Sequence, residues 1–155
     1  MKHTNNIILY QFIQFIVMLV IAVILNPMNL LLYQVEDFYF SLTLFYSGLF
    51  MVSNMMWAHE VIHYIYSKQI NFIIFSIGII LAISSGFLLL RKQYLVGDKQ
   101  WLKRMITHHS SAITTSKNIH QKTKSKKIKH LANDIIDTQL KEINLMKKYL
   151  KEDTL

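Results

Sequence analysis

The residues with the clearest chemical potential lie in Trp101–Ser116, WLKRMITHHSSAITTS. Met105 precedes His108 by three positions and His109 by four. On a helix these spacings put the thioether and the imidazoles on neighbouring turns of one face. Imidazole with thioether is a soft-to-borderline donor set, which suits copper, Cu(I) above all, better than magnesium or calcium. Downstream, Gln139, Glu142 and Met146 are spaced three and four apart. If the two segments form an antiparallel hairpin, this second stripe can face the first. Gln139 and Glu142 are then costly to bury unless a partner satisfies them. A ligand role, or the support of a ligand, would do so. The same spacing equally fits a partly buried His109 in a core that Met105 and Met146 merely fill, and the pattern alone does not choose between the two.

A second motif precedes it. His59-Glu60-Val61-Ile62-His63 has the zincin form, with two histidines four apart to hold zinc and a glutamate to act as base. Such an enzyme needs a third protein ligand, and the next apolar segment has no His, Asp or Glu. The two histidines also read as interfacial side chains with polar tips reaching headgroups. A third reading joins them to Met55 and Met56, since the four fall three to four apart and form a Met/His ladder able to hold a soft metal. Ionisable groups within a membrane span are functional candidates.

The elements that must position these residues follow from the distribution of charge. In the 155-residue chain, the first 90 residues carry Lys2 and Lys68 against Glu36, Asp37 and Glu60, a net −1. The rest holds fifteen Lys or Arg against six Asp or Glu, a net +9. The two parts are unlike. The first contains three apolar segments, at about 7–25, 42–66 and 72–90, each near the ~20 residues that cross a bilayer as a helix. The first apolar run is longer than a signal-peptide core, and Asn26-Pro27-Met28-Asn29 is a poor cleavage site. Pro27 ends that helix, and Asn29–Phe40 is a linker. Gly78, Gly86, Ser84 and Ser85 are small packing residues in the third segment. The expected organisation is a membrane domain over 1–93 and a helical hairpin over 98–151. Asp98 is the expected N-cap of the hairpin's first helix. Leu102, Met105, Ile106, His109, Ala112, Ile113 and Ser116 follow helical spacing along it. Ile128, Leu131, Ala132, Ile135, Gln139, Glu142, Met146 and Tyr149 form the stripe on the second, with Ile136, Leu140 and Ile143 beside it.

The absence of cysteine excludes disulfides and thiolate ligands. The basic run Lys117–His130 has no interleaved aromatic residue, so base stacking is not suggested and no nucleic-acid partner is expected. A solvated turn, or contact with anionic lipid headgroups, accounts for it. The basic residues after the third segment favour a cytoplasmic hairpin by the positive-inside rule.

The paired motifs resemble the domain of unknown function (DUF) 305 family over about Lys99 to Leu150. The matching residues are Met105, Ile106, His108, His109, Ala112, Ile113 and Ser116, then Gln139, Glu142, Ile143 and Met146. Thr115 departs from the pattern, because many members have methionine there. The resemblance implies small ferritin-like helical modules, some of them copper-binding, in the bacterial periplasm or cell envelope, including forms with three N-terminal membrane spans. It therefore argues for an extracytoplasmic hairpin, against the charge rule.

The expectation is an all-α, non-enzymatic protein of the bacterial inner or cell membrane. Three transmembrane helices carry a ferritin-like antiparallel hairpin, completed by homodimerisation or by packing on the membrane helices. Copper sequestration, tolerance or hand-off would use Met105, His108, His109, Glu142 and Met146, with Met55, Met56, His59 and His63 as a lesser set. The alternatives are a zinc peptidase built on His59, Glu60 and His63, and a structural membrane protein without metal.

Overall fold

The structure is a computed structural model that describes residues 2–152, with side chains from residue 9 onward. The chain is all-helical, and no strand occurs among the described residues. It divides into two compact units: Met1–Leu25 with Thr43–Tyr94, and Asn26–Leu42 with Leu95–Leu155. The linker after the first helix therefore groups with the hairpin.

In the first unit, helix α1 runs Lys2–Ile24, α3 runs Leu42–Ser67 and α4 runs Phe72–Ile83. The last continues through Ser84–Arg91 with π-type hydrogen bonding. Asn71 caps α4, its side chain accepting from the amides of Ile73 and Ile74. Two glycines set the closest approaches between helices. A Cβ on Gly78 would lie 2.9 Å from the backbone nitrogen of Trp57, and one on Gly48 would lie 2.7 Å from Val23 Cγ2. Only a residue without a side chain lets α4 come this near the α3 backbone, which is the packing role expected of Gly78.

Two of the three expected spans are long and apolar enough to cross a membrane, as Leu9–Leu30 and Phe72–Arg91. The first expected span begins at Ile7, and the side chains of Ile7 and Ile8 lie outside the described residues. The middle segment is a 26-residue helix but does not qualify. Asn54, His59, Glu60 and His63 lower its hydropathy, so of the three expected spans two are candidates among the described residues.

In the second unit, Pro27 is the first residue of a short helix, α2, Pro27–Leu30, where a missing amide hydrogen costs nothing. A 3-10 turn follows at Val35–Asp37. Helix α5 is Asp98–Lys122 and α6 is Lys126–Lys151. Gly97 is the N-cap of α5 rather than Asp98, which instead places its carboxylate in the first turn, where it complements the helix dipole. The turn between α5 and α6 is Thr123–Ser125, shorter than the basic run suggested. Ser125 closes it by accepting from the Ile128 amide at 3.4 Å.

The core of this unit is Leu102, Ile106, Ile113, Ile143 and Met146, with Tyr39, Met105, Ile136, Leu140 and Leu150 packed against it. The buried stripe of α6 keeps Ala132 and Met146 of the expected one but is rotated toward Ile143, and Ile128, Leu131 and Tyr149 are exposed. Tyr39 shows that the linker completes a core that two helices alone cannot close. Only two long helices occur here among the described residues, so one chain does not form the four-helix ferritin-like bundle by itself.

Helix α5 has a second buried face made of Thr107, Ser110 and Ser111. The linker lies on it like a strap. Ser110 Oγ donates to Asp37 Oδ2 at 2.6 Å, and Lys147 on α6 pairs with the other carboxylate oxygen. The Tyr33 amide donates to Ser110 Oγ at 2.9 Å, and Thr107 Oγ1 donates to the Asp37 carbonyl at 3.1 Å. Lys117 reaches the Tyr33 hydroxyl at 2.6 Å with its ammonium 4.0 Å from the ring centroid, a favourable cation–π position.

Candidate metal centre

Helical periodicity turns His109 from α5 toward α6, one turn from Met105 and between Ile106 and Ile113 of the core. The residue is 9% exposed. Its Nδ1 lies 2.7 Å from the Met105 carbonyl, and its Nε2 lies 2.9 Å from Glu142 Oε2 on the opposite helix. A backbone carbonyl on one ring nitrogen fixes the orientation of the ring and aims the other nitrogen. The sequence pairing of the two motifs is therefore realised at one contact, His109 with Glu142.

This contact has two chemical readings. With both nitrogens protonated, the imidazolium donates to the carbonyl and to the carboxylate. With only Nδ1–H, the ring presents the Nε2 lone pair beside a carboxylate oxygen, two anion-like donors converging on one point. The second is the arrangement in which histidine and glutamate hold a metal ion. The Glu142 side chain is 48% exposed, so the pair sits at the rim of the hairpin, open to solvent, and the carboxylate escapes the burial cost that the sequence stripe implied.

His108 lies beside it. The two imidazole centroids are 6.0 Å apart and inclined at 68°. Partial burial lowers the His108 pKa below its ordinary value of 6.5, and the Arg104 and His109 charges lower it further. Its ring therefore stays neutral, the metal-binding form, to lower pH than a free histidine. Met146 is 7% exposed and belongs to the apolar core, and Met105 packs against that core. The donors at the rim are thus imidazole and carboxylate. Among the described residues no three His, Cys, Asp or Glu side chains converge.

In the His59-Glu60-Val61-Ile62-His63 motif the three polar side chains make separate contacts. Glu60 is 4% exposed, and its Oε2 accepts the Asn71 amide at 2.9 Å, closing the turn between α3 and α4. His63 Nδ1 lies 2.9 Å from the Gln69 carbonyl in that same turn. The His59 side chain is 54% exposed, with Nδ1 4.0 Å from Glu60 Oε1. The structure therefore separates the motif, with Glu60 and His63 committed to a turn and His59 directed elsewhere. Met55, Met56 and His59 line one cavity within the first unit, and His63 is not among its walls. His130 pairs with Asp134 at 3.5 Å on the exposed side of α6, away from the core.

The sequence reading passed over Asp37, Thr107, Ser110 and Lys147 as a working set. One signal was available: Thr107, Ser110, Ser111 and Thr114 repeat at three and four residues and mark a small polar face on a helix whose other face is apolar.

Comparison with known proteins agrees with the hairpin. Residues 91–150 match the family model "Domain of unknown function (DUF305)". No solved structure matches. An uncharacterized protein of Acanthamoeba polyphaga mimivirus is 41% identical over 140 residues, covering 87% of this chain and 88% of its own length. The present chain's C-terminal helical hairpin matches the DUF305 domain model, and the chain belongs to one family with that viral protein.

Proposed function

We propose that this protein is a membrane-anchored, non-enzymatic metal-binding protein whose hairpin holds copper at His109 and Glu142. The observation that carries the reading is the 2.9 Å approach of His109 Nε2 to Glu142 Oε2, with the ring fixed through the Met105 carbonyl. His108 is the nearest further donor. Imidazole and carboxylate suit Cu(II) or Zn(II). Met105 and Met146, if turned outward, would extend the set toward Cu(I). Copper bound there would be held in an exchangeable form, because Glu142 faces solvent. That favours sequestration or hand-off over a buried redox centre.

Membrane anchoring is supported by how little of the apolar stretches is covered. Only 11% and 22% of the most apolar 18-residue windows of Leu9–Leu30 and Phe72–Arg91 are buried, whereas the core helix of a soluble protein is mostly buried. The second stretch lies far from the N-terminus, so a cleaved leader does not account for it. We place the hairpin on the extracytoplasmic side of an envelope membrane, where copper is met before it enters a cell. Leu131 and Leu145, 54% and 46% exposed on α6, would be covered if two hairpins pair into a four-helix bundle.

The test is metal analysis of the full chain purified in detergent. With Cu(II) as the only copper supplied, one Cu(II) per chain is expected, giving a paramagnetic resonance signal with nitrogen splitting. Both are lost in a His109→Ala, Glu142→Gln double variant. Copper retained at full stoichiometry in that variant, with an unaltered signal, overturns the assignment. Zinc bound in preference to copper keeps the residues and changes the metal.

A further inference from the structure

The first unit contains a set of donors that the hairpin does not use. A cavity of about 300 Å³ lies between α1 and α3, and its walls include Met18, Met55, Met56 and His59, with Gln11 and Gln14 beside them. Three thioethers and one imidazole from two helices therefore face one space. The sequence ladder on α3 supplied three of the four, and the fold adds Met18 from α1. His63, which shared the sequence ladder, instead holds the turn after α3.

We propose that this cavity is a binding site for a soft monovalent cation, Cu(I), separate from the His109–Glu142 site. Three features converge on that ion. Thioethers are donors that select Cu(I) over divalent ions, imidazole also suits copper, and the three thioethers are uncharged. A monovalent ion needs less charge compensation than a divalent one in apolar surroundings, where unpaired charge is costly. Part of that compensation is at hand, since the buried Glu60 carboxylate stands 4.0 Å from His59 Nδ1.

The second feature is a buried oxygen without a partner. Gln14 Oε1 is shielded from solvent and accepts no hydrogen bond, yet Gln14 lines the cavity. An unsatisfied buried acceptor is costly, and a cation, or water carried with it, satisfies such an oxygen. The third is adaptability. Methionine has three rotatable bonds and fills irregular space, so these side chains can close around an ion much smaller than the cavity. Met55 is 51% exposed, which provides a route of entry.

The experiment uses the full chain in detergent micelles with 13C-methyl-labelled methionine, titrated with Ag(I) as a non-oxidising counterpart of Cu(I). Single Met→Leu variants assign the methyl resonances. The methyl signals of Met18, Met55 and Met56 are expected to shift together and to saturate at one equivalent. A His59→Leu variant weakens that binding at least tenfold, a loss typical of a removed metal-site residue. The His109→Ala, Glu142→Gln variant keeps all three shifts, which separates this site from that of the hairpin. The wild-type titration decides the matter even if a variant fails to fold. Silver that shifts only Met105 or Met146, or only one of the three cavity methyls, overturns the proposal.

Discussion

His109 and Glu142 meet across the hairpin with Nε2 and Oε2 2.9 Å apart, and the same imidazole is tied through Nδ1 to the carbonyl of Met105 one turn earlier. A contact serving only stability would be of small value here, because Glu142 is half exposed and such pairs contribute about 0–1 kcal/mol. A metal contact would be of large value, because loss of one ligand or its support reduces affinity about 10–100-fold. Glu142→Gln is therefore expected to leave the melting temperature of the metal-free chain almost unchanged while copper affinity falls at least tenfold. Circular dichroism melts and a competitive copper titration on the same preparation read the two quantities. A large drop in stability with unchanged affinity would make the pair structural.

His108 gives the hairpin a pH dependence with a definite sign. Partial burial is the main cause of its lowered pKa, followed by the Arg104 and His109 charges. The unfolded chain thus takes up a proton near about pH 6.5 that the folded chain still refuses. The stability linked to this residue is fully present above the unfolded value and is lost as pH falls through it toward the folded value. Thermal melts of the metal-free chain between about pH 7.5 and 5.5 should show a decline that is shallower in His108→Gln. Proton resonance of the ring should give a midpoint below the ordinary histidine value. A midpoint at or above that value contradicts the assignment.

The strap depends on Asp37. Its carboxylate is 1% exposed and is shared between Ser110 Oγ and Lys147 Nζ. Removing one member of a buried ion pair leaves the other uncompensated and costs about 3–5 kcal/mol. Asp37→Ala is expected to destabilise by that order and to free the linker. Hydrogen exchange at the Tyr33 and Tyr39 amides, which donate to Ser110 Oγ and Thr107 Oγ1, should then accelerate. Replacing both charges together, as Asp37→Leu with Lys147→Met, should recover much of the loss, since apolar pairs of similar volume often substitute for buried ion pairs. Equal damage in single and double variants would show that the hydroxyl contacts, not the charges, hold the strap.

Helix type and order were legible because the first three segments are almost continuously apolar, the last two carry a helical apolar period, and Pro27 marks a real boundary. The His109–Glu142 meeting was legible as a pair of motifs, since residues one turn apart on facing helices must fall near one another. Three things were hidden. The rotation of α6 followed from where Tyr39 and the linker fill the core, a long-range effect absent from the period of α6 itself. Asp37 read as an ordinary linker charge, because its partners lie 73 and 110 residues away. Met18 sits in an apolar run where a thioether looks like any other hydrophobic residue, and only the α1–α3 cavity gives it His59 as a neighbour.

Glu60 allows the peptidase reading to be tested against the structural one. As a catalytic base it would have to be a carboxylate directed at a metal-bound water. Here its Oε2 accepts the Asn71 amide at 2.9 Å, at the turn where Asn71 also caps α4. Glutamine keeps an oxygen able to accept that hydrogen bond, whereas alanine leaves a donor unpaired at a cost of about 1–3 kcal/mol. Glu60→Gln is expected to retain near-native stability and Glu60→Ala to lose stability by that amount, with faster hydrogen exchange at the Asn71 amide. Neither substitution should alter cleavage of an unstructured peptide substrate by the zinc-loaded chain. Zinc-dependent cleavage by the wild type that disappears in Glu60→Gln, while stability is preserved, would reverse the conclusion and make the motif catalytic.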